Sequence, residues 1–308
     1  MILKRLGNLL YVGFATWMNK EIEPPVQAPS DLSRAAPALS PGDVILVEGR
    51  SRIGKLIKNA SQSSWTHCAI FVGRISDHAG SAHYALLKDA WQGSENEYLL
   101  LEAEIGTGAI LTKIDKYRDY NVRICRPQAL TKRDADSVVE SALNHLDHEY
   151  DVRQLVDLAR FMYPIRFVPR RWRSALFETR SRKSQKRTIC STLIADAFYS
   201  VDFPIRPIIS KDEHGDLRMN KLNARLCTPK DFDASPYFDI LKFPWIPIVD
   251  PGVYRNLPWV NEQDLKLQES PSPAASKPSY RVILDPLVAR GLILVKSLRS
   301  LVRLPTAK

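Results

Sequence analysis

Residues 65–73 have the sequence WTHCAIFVG, in which a histidine precedes a continuous apolar run that ends at a glycine. A short apolar run bounded by polar residues and glycine predicts a buried strand over Thr66–Val72. His67 lies at the beginning of this strand, where a rigid element can hold an imidazole in a fixed direction. Of the six histidines, His67 is therefore the best placed to act as a general base.

A second informative stretch surrounds Cys190. A polar, basic run ends at Thr188-Ile189, and the helical pattern STLIADAF follows the cysteine at once. The pattern predicts a helix over residues 190–200 with Cys190 at its N-terminus. The free N–H groups and the positive dipole end of such a helix favour thiolate over thiol, so Cys190 is the candidate nucleophile.

The remaining cysteines and histidines carry weaker signals. Cys68 is expected to be an inert core cysteine, and Cys125 and Cys227 have no setting comparable to that of Cys190. No cysteine pair has the short spacing of a zinc site, and four cysteines are too few for a disulfide framework. The other histidines are predicted in loops or on a solvated helix face: His78, His83 and His214 in loops, His145 and His148 on the helix. We predict no metal and no cofactor.

A catalytic imidazole needs a partner that holds its tautomer, and carboxylates are common in that role. Glu102 and Glu104 lie in a strand predicted over residues 98–105. The two-residue period of a strand places both side chains on the same side, so either can face the site. An exposed strand position is the alternative for each.

Other patterns complete the secondary structure. Strands are predicted over residues 43–48 and 121–125, and helices over residues 132–145 and 150–161. Prolines are frequent from Phe203 to Pro258, so we expect extended loops wrapped over the body there, without long regular elements.

Composition limits the class of protein. The chain has 308 residues, of which 44% are hydrophobic and 25% charged. This indicates one large domain with appendages or two small ones, and it excludes disorder throughout. No stretch reaches the roughly 18 apolar residues of a membrane-spanning helix, which excludes a polytopic membrane protein.

The net charge of +10 is concentrated in two segments. Residues 166–187 contain nine basic residues against one acidic, and residues 271–308 contain seven against one, which leaves the rest of the chain mildly acidic. Such extensions indicate anchoring to an anionic surface, with a solvated charged segment as the alternative. Aromatic residues are sparse there, so the expected partner of residues 166–187 and 285–304 is a membrane surface rather than nucleic acid.

Both termini are amphipathic. Residues 1–18 carry two basic residues before an apolar run, which is typical of a signal peptide or an interfacial helix, and we predict a retained interfacial segment within residues 1–30. Residues 261–279 are a linker by composition, and residues 280–308 contain a basic amphipathic helix with Asp285 as N-cap. That helix suits a membrane surface or packs back onto the domain. A reactive free thiol favours a peripheral location on the cytoplasmic face over an exported one.

Four stretches together resemble a known family: PGDVILV at 41–47, WTHCAIFVG at 65–73, LEA at 101–103 and CSTLI at 190–194. They are similar to the permuted papain-like branch of the NlpC superfamily, the YiiX/YaeF-like group, with lecithin:retinol acyltransferases as distant relatives. The likeness runs from about Leu39 to about Leu241, and we predict a catalytic domain over residues 39–250 with the basic insert at 166–187. It implies an α+β fold in which an antiparallel sheet packs against helices and the histidine strand precedes the cysteine helix.

Carried over by position, the resemblance implies that Cys190 is the nucleophile, His67 the general base and acid, and Glu102 the residue that orients His67. Glu104 is then the second choice. The family's Tyr-Asp pattern makes Tyr150 a candidate oxyanion donor beside the Cys190 backbone N–H. This chain departs from the family pattern two residues after the cysteine, where Thr192 replaces a common Glu, and its basic insert is longer than usual.

The resemblance implies a cysteine hydrolase that cleaves a peptide, isopeptide or N-acyl amide through a Cys190 acyl-enzyme. A lipid-directed thiol acyltransferase or esterase at a membrane surface is the first alternative, favoured by the amphipathic termini. The second is a non-catalytic membrane- or nucleic-acid-binding protein with the same fold.

Overall fold

The computed structural model describes residues 16–23, 32–146, 148–151, 187–243 and 250–257, together with residues 13, 154 and 259. The chain divides into two compact units, residues 1–247 and residues 248–308. The described part of the second unit contains one short 3-10 helix, Val253–Asn256. All elements described below belong to the first unit.

Six strands form the main sheet: β1 Val44–Val47, β2 His67–Gly73, β3 Leu99–Glu104, β4 Gly108–Lys113, β5 Val122–Pro127 and β10 Phe238–Leu241. Their order in the sheet is β10-β5-β1-β2-β3-β4, and every neighbouring pair is antiparallel. β1 and β2 are central strands, and almost all their side chains are buried on both faces. This explains why both are continuous apolar runs rather than alternations.

A separate hydrophobic cluster covers each face of the sheet. One cluster joins Leu46, Cys68 and Leu101 to helical residues such as Leu193. The other joins Ile45, Phe71 and Leu100 to Tyr117 and to residues near Leu32. Because side chains alternate along a strand, His67 and Glu102 point to the face that carries Phe71 and Leu100.

The α-helices with described bounds are α1 Leu32–Ala35, α2 Arg52–Ser61, α3 Tyr84–Ala90, α4 Lys132–Leu143, α5 Cys190–Tyr199 and α6 Pro229–Asp233, and residues 16–19 are helical as well. The described 3-10 helices of this unit are Ala36–Ala38, Ile75–His78, Ile114–Tyr117 and Ala224–Leu226. Helix α4 begins after Thr131, whose hydroxyl accepts the Asp134 N–H, and it packs against α5. Nearly every residue of α5 is buried, which makes it the central helix.

Two small sheets complete the described strands. β6 Glu149–Tyr150 pairs in parallel with β7 Arg187–Thr188, and β8 Ile208–Lys211 pairs antiparallel with β9 Leu217–Asn220. The helix predicted over residues 150–161 is wrong at its first residue, because the Tyr150 backbone pairs with Thr188. Gln154 is helical, and most of that predicted helix lies outside the described residues.

The proline-rich region from Phe203 contains only short elements, as expected, but one of them belongs to the main sheet. β10 pairs with β5, and Phe238 at its start packs among Phe198, Phe203 and Phe232 with ring centroids 5.3–5.8 Å apart. Burial of these rings accounts for a strand that the local sequence does not signal.

The α+β prediction, an antiparallel sheet packed against helices, is confirmed. No helix in the described part of the chain combines the length and apolar composition that a membrane crossing requires. Most of the interfacial segment 1–18, the basic insert up to residue 186, the linker 261–279 and the C-terminal helix of 280–308 lie outside the described residues.

Candidate active site

The candidate base and its carboxylate partner lie on adjacent strands. His67 is the first residue of β2, and Glu102 lies in β3. Their strands pair with Ile70 opposite Leu101, so both side chains project from the same face. Imidazole Nε2 lies 2.5 Å from Glu102 Oε2. This contact leaves Nδ1 as the ring nitrogen for a second partner.

Cys190 is that second partner. It is the first residue of α5 and is only 6% exposed, and its sulfur interacts with the His67 imidazole through charge and hydrogen bonding. The preceding N-cap residue, Ile189, has no side chain that can bond the first turn. The first N–H groups of α5 are therefore not occupied by a side-chain cap, and an oxyanion can accept from them.

Glu102 is enclosed by three donors. Its carboxylate has no solvent exposure, and it accepts from His67, from Lys116 Nζ at 2.6 Å and from the Tyr117 hydroxyl. Lys116 also bonds Glu104. Lys116 and Tyr117 both belong to the 3-10 helix Ile114–Tyr117. No motif in the sequence indicated either residue.

These contacts favour charged forms of all three groups. Burial opposes charge on His67, but Cys190 and Glu102 outweigh it and raise its pKa to about 10. Burial likewise opposes charge on Glu102, yet its hydrogen bond to His67 and the nearby Lys116 lower its pKa to about 2. A hydrogen bond from Cys68 and the charge of His67 lower the pKa of Cys190 well below its usual value, against the effect of burial. Both shifts therefore favour a thiolate at Cys190 beside an imidazolium at His67.

Cys68 has more contact with the site than the sequence indicated. It is fully buried, and burial raises its pKa well above the ordinary value, so it remains a thiol. Its S–H donates to the Cys190 sulfur. The expectation of an inert core cysteine holds for its own reactivity, but the residue also stabilises the neighbouring thiolate.

A cavity of about 310 Å³ opens beside His67. Tyr150, at 8% exposure, and Glu104 line it, as do Lys116 and Tyr117. Glu104 is thus at the cavity wall and bonded to Lys116, whereas Glu102 is the carboxylate that contacts the imidazole. The structure therefore brings Cys190, His67 and Glu102 together, and Tyr150 lies on the wall of the cavity that His67 also lines.

The other candidate residues lie elsewhere. His78 and His83 are buried rather than placed in a polar loop, because they bond each other at 2.9 Å and His78 Nε2 donates to the Val72 carbonyl. His145 and His148 contact each other, with ring centroids 5.0 Å apart. Within the described residues, no group of three or more His, Cys, Asp or Glu side chains is arranged to hold a metal ion.

Comparison with known proteins finds one family that matches most of the chain. Residues 38–240 match the family of permuted papain-like amidase enzymes of the YaeF/YiiX type, family C92. The chain belongs to this family. Membership confirms the circularly permuted papain-like fold and supports an enzyme of the hydrolase type.

One similar solved structure is that of metalloprotein YiiX from Escherichia coli O157:H7. It has 13% sequence identity and a TM-score of 0.41, and the alignment covers 67% of this chain and 98% of that one. No curated protein matches the chain.

The departure from the C92 pattern at Thr192 has a structural counterpart. Thr192 is 6% exposed, its hydroxyl accepts from Gln154 Nε2 at 2.6 Å, and it lies 3.2 Å from the Ala224 carbonyl. In this chain the position therefore ties α5 to the segment after β6.

Proposed function

We propose that this C92 amidase is a cysteine hydrolase in which Cys190 attacks the carbonyl of an amide and His67 transfers the protons. The observation that carries the proposal is the line of contacts from Glu102 through His67 to Cys190 at an uncapped helix N-terminus. Peptide, isopeptide and N-acyl amides are the substrate classes that this chemistry serves.

The proposed reaction has two halves. The Cys190 thiolate attacks the carbonyl carbon, and the resulting oxyanion accepts from the Cys190 backbone N–H and from Tyr150. The His67 imidazolium gives its Nδ1 proton to the leaving nitrogen as the carbon–nitrogen bond breaks, which releases an amine and leaves a thioester. His67 then takes a proton from water, whose oxygen attacks the thioester, and the acid and the Cys190 thiolate are released. Glu102 holds Nε2–H throughout and stabilises the imidazolium.

Thiol labelling across pH tests the proposal. Purified protein is treated with limiting iodoacetamide between pH 4 and pH 10, and the modified cysteine is mapped by mass spectrometry. We expect Cys190 to react preferentially below pH 7, and His67→Ala to remove that preference. Cys125 is an internal control, because burial raises its pKa to about 12. Equal labelling of all four cysteines would contradict the hydrolase proposal and favour the alternative of a non-catalytic binding protein.

Substrate capture tests the amide specificity. Wild-type protein and Cys190→Ser are incubated with peptide amides and with N-acyl amines, and the intact mass is recorded after rapid acid quenching. We expect an acyl adduct on Cys190 and release of amine in the wild type only. Tyr150→Phe should slow adduct formation, and unchanged turnover in that variant would remove Tyr150 from the oxyanion site.

The second candidate is a lipid-directed thiol acyltransferase or esterase that works at the cytoplasmic face of a membrane. The basic residues of 166–187 and 285–304 favour it, because anionic lipid attracts such segments. Sedimentation with phosphatidylserine vesicles at low and high salt tests this proposal. Salt-sensitive binding together with acyl transfer from lipid would support it over amide hydrolysis, and salt-sensitive binding to duplex DNA would point to nucleic acid instead.

A further inference from the structure

Residues 16–23 form an arm that precedes the matched C92 span of residues 38–240 and packs beside the cavity. Met18 is buried in the same core cluster as Ile53 and Cys190. Asn19 and Glu21 line the cavity together with His67. The arm therefore supplies part of the wall of the cavity that His67 lines, outside the matched C92 span.

Arg50 is the main anchor of the arm. Its carbonyl accepts the Ile22 N–H at 3.0 Å, and its guanidinium, in a residue only 9% exposed, lies 3.2 Å from Glu21 Oε1. Glu21 also forms an antiparallel bridge with Ser51. Because backbone and side-chain bonds act together, the arm is held in one register against residues 50–51.

The charged groups of the cavity wall are already paired. Glu21 bonds Arg50, Glu104 bonds Lys116, and His67 bonds Glu102 behind the wall. Since each carboxylate faces a cation, the wall has little net charge with which to select an ionic substrate group. Selection at this wall must then depend on neutral hydrogen bonds and shape.

Asn19 offers such a hydrogen bond. Its Nδ2 donates to the Ile105 carbonyl at 2.9 Å, which fixes the plane of the amide group. Among the described residues, none donates to its Oδ1. An acceptor held in place by its own N–H on the wall of a ligand-sized cavity suits an N–H donor.

We propose that Asn19 Oδ1 accepts a hydrogen bond from a substrate N–H that enters the cavity lined by His67. The inference rests on the proposed function and narrows it to peptide-like substrates, because an acyl ester or a lipid ester has no N–H at that place. Asn19 is then a substrate-binding residue that the arm contributes to the C92 site.

A pair of electrophiles tests the proposal. One is a dipeptide chloromethyl ketone, and the other is its depsipeptide counterpart, in which an ester oxygen replaces the N–H of the internal amide. In both, the Cys190 thiolate displaces chloride and forms a thioether. The second-order rate of alkylation is measured for each, and their ratio reports the contribution of the N–H. We expect the wild type to react about tenfold faster with the peptide.

Three variants separate binding from anchoring. Asn19→Ala removes the acceptor. We therefore expect the ratio of its alkylation rates with the peptide and the depsipeptide to fall to about one. Asn19→Asp keeps an acceptor oxygen but loses the bond to Ile105 that fixes it, so its ratio should lie between those of Asn19→Ala and the wild type. Lys20→Ala changes an exposed neighbour on the same arm that does not line the cavity, and it should behave like the wild type.

Iodoacetamide, which carries no peptide, separates the two levels of the proposal. If iodoacetamide labels Cys190 normally while Asn19→Ala keeps the wild-type ratio, the role of Asn19 is overturned and the hydrolase proposal stands. A wild-type ratio near one would also overturn the role of Asn19 and leave the hydrolase proposal standing. If iodoacetamide fails to label Cys190 preferentially, the proposed function itself is overturned.

Discussion

At the scale of single residues, Glu102 is one of two groups that favour the imidazolium form of His67, and Cys190 is the other. Glu102 accepts three hydrogen bonds in a position without solvent exposure, and it stabilises the protonated form of His67. Glu104 lies two residues away on the same side of β3 and also bonds Lys116, but Glu102 is the carboxylate that contacts His67. The two glutamates thus form a matched pair for testing which contact matters.

We expect Glu102→Gln to lower the pKa of His67 from about 10 by one unit or more, because an adjacent opposite charge is lost. The measurement is an NMR titration of protein with labelled histidine, in which the absence of one signal from His67→Ala assigns the resonance. Glu104→Gln is the control and should leave the titration in place. An unchanged midpoint in Glu102→Gln would show that the carboxylate does not set the imidazole charge.

The lowered pKa of Glu102 also predicts acid sensitivity. A carboxylate whose pKa is about 2 in the folded state and ordinary in the unfolded state stabilises the fold above pH 4.5, and this stability is lost as pH falls toward 2. We expect Glu102→Gln to lose about 2 kcal/mol less free energy of unfolding than the wild type between pH 5 and pH 3. Urea unfolding at each pH measures the difference. If both proteins lose stability in parallel, Glu102 is not the titrating group; Glu104→Gln should follow the wild type.

At the scale of elements, the cavity wall depends on how β4 meets the strand that carries Tyr150. Gly108 begins β4 with φ of +89°, and a Cβ there would lie 2.2 Å from the His148 carbonyl oxygen. That same oxygen accepts the Ala109 N–H at 2.9 Å. A side chain at residue 108 must therefore separate β4 from the chain leading into β6.

Gly108→Ala is expected to lower the free energy of unfolding by about 3 kcal/mol, combining backbone strain with the lost contact. Gly80→Ala is the matched control, since Gly80 has φ of +87° and open space around its Cβ position. Gly80→Ala should lower the free energy of unfolding only by its backbone strain, about 1 kcal/mol. Equal losses in urea unfolding would contradict the close approach of β4 and β6.

At the scale of the whole molecule, the region after Phe203 has two parts with different roles. β10 completes the main sheet and buries Phe238 among aromatic rings. The β8–β9 hairpin, in contrast, has every strand residue exposed, including Ile209 at 63% and Leu217 at 71%. A two-stranded hairpin without a buried face adds little stability of its own.

Replacing residues 208–220 by a short glycine-serine loop should change the free energy of unfolding by less than about 1 kcal/mol and leave Cys190 labelling intact. The loop can close because Ile208 pairs with Asn220, so the cut ends are adjacent. Phe238→Ala is the contrasting variant and should cost about 3 kcal/mol or more. A large loss on deleting the hairpin, measured by urea unfolding, would show that it covers part of the core.

Local pattern was sufficient for much of the architecture. The apolar runs predicted the central strands, and the break before STLIADAF predicted a helix beginning at Cys190, because periodicity and capping depend on residues close in sequence. The same strand period placed Glu102 and Glu104 on one side of β3. Helices α2 and α3 and strands β4 and β10 were not predicted, and β10 in particular is stabilised by ring contacts with distant residues.

The sequence by itself determined the candidate nucleophile, the candidate base and the order in which they occur. Only the tertiary structure decided which glutamate contacts His67 and which donors enclose that glutamate. It also decided that Cys68 bonds the Cys190 sulfur and that the arm of residues 16–23 lines the cavity. The physical reason is the distance along the sequence between the residues that form each feature. A helix terminus or a strand face follows from neighbouring residues, whereas a buried ion pair and a cavity wall form only when packing brings distant segments together.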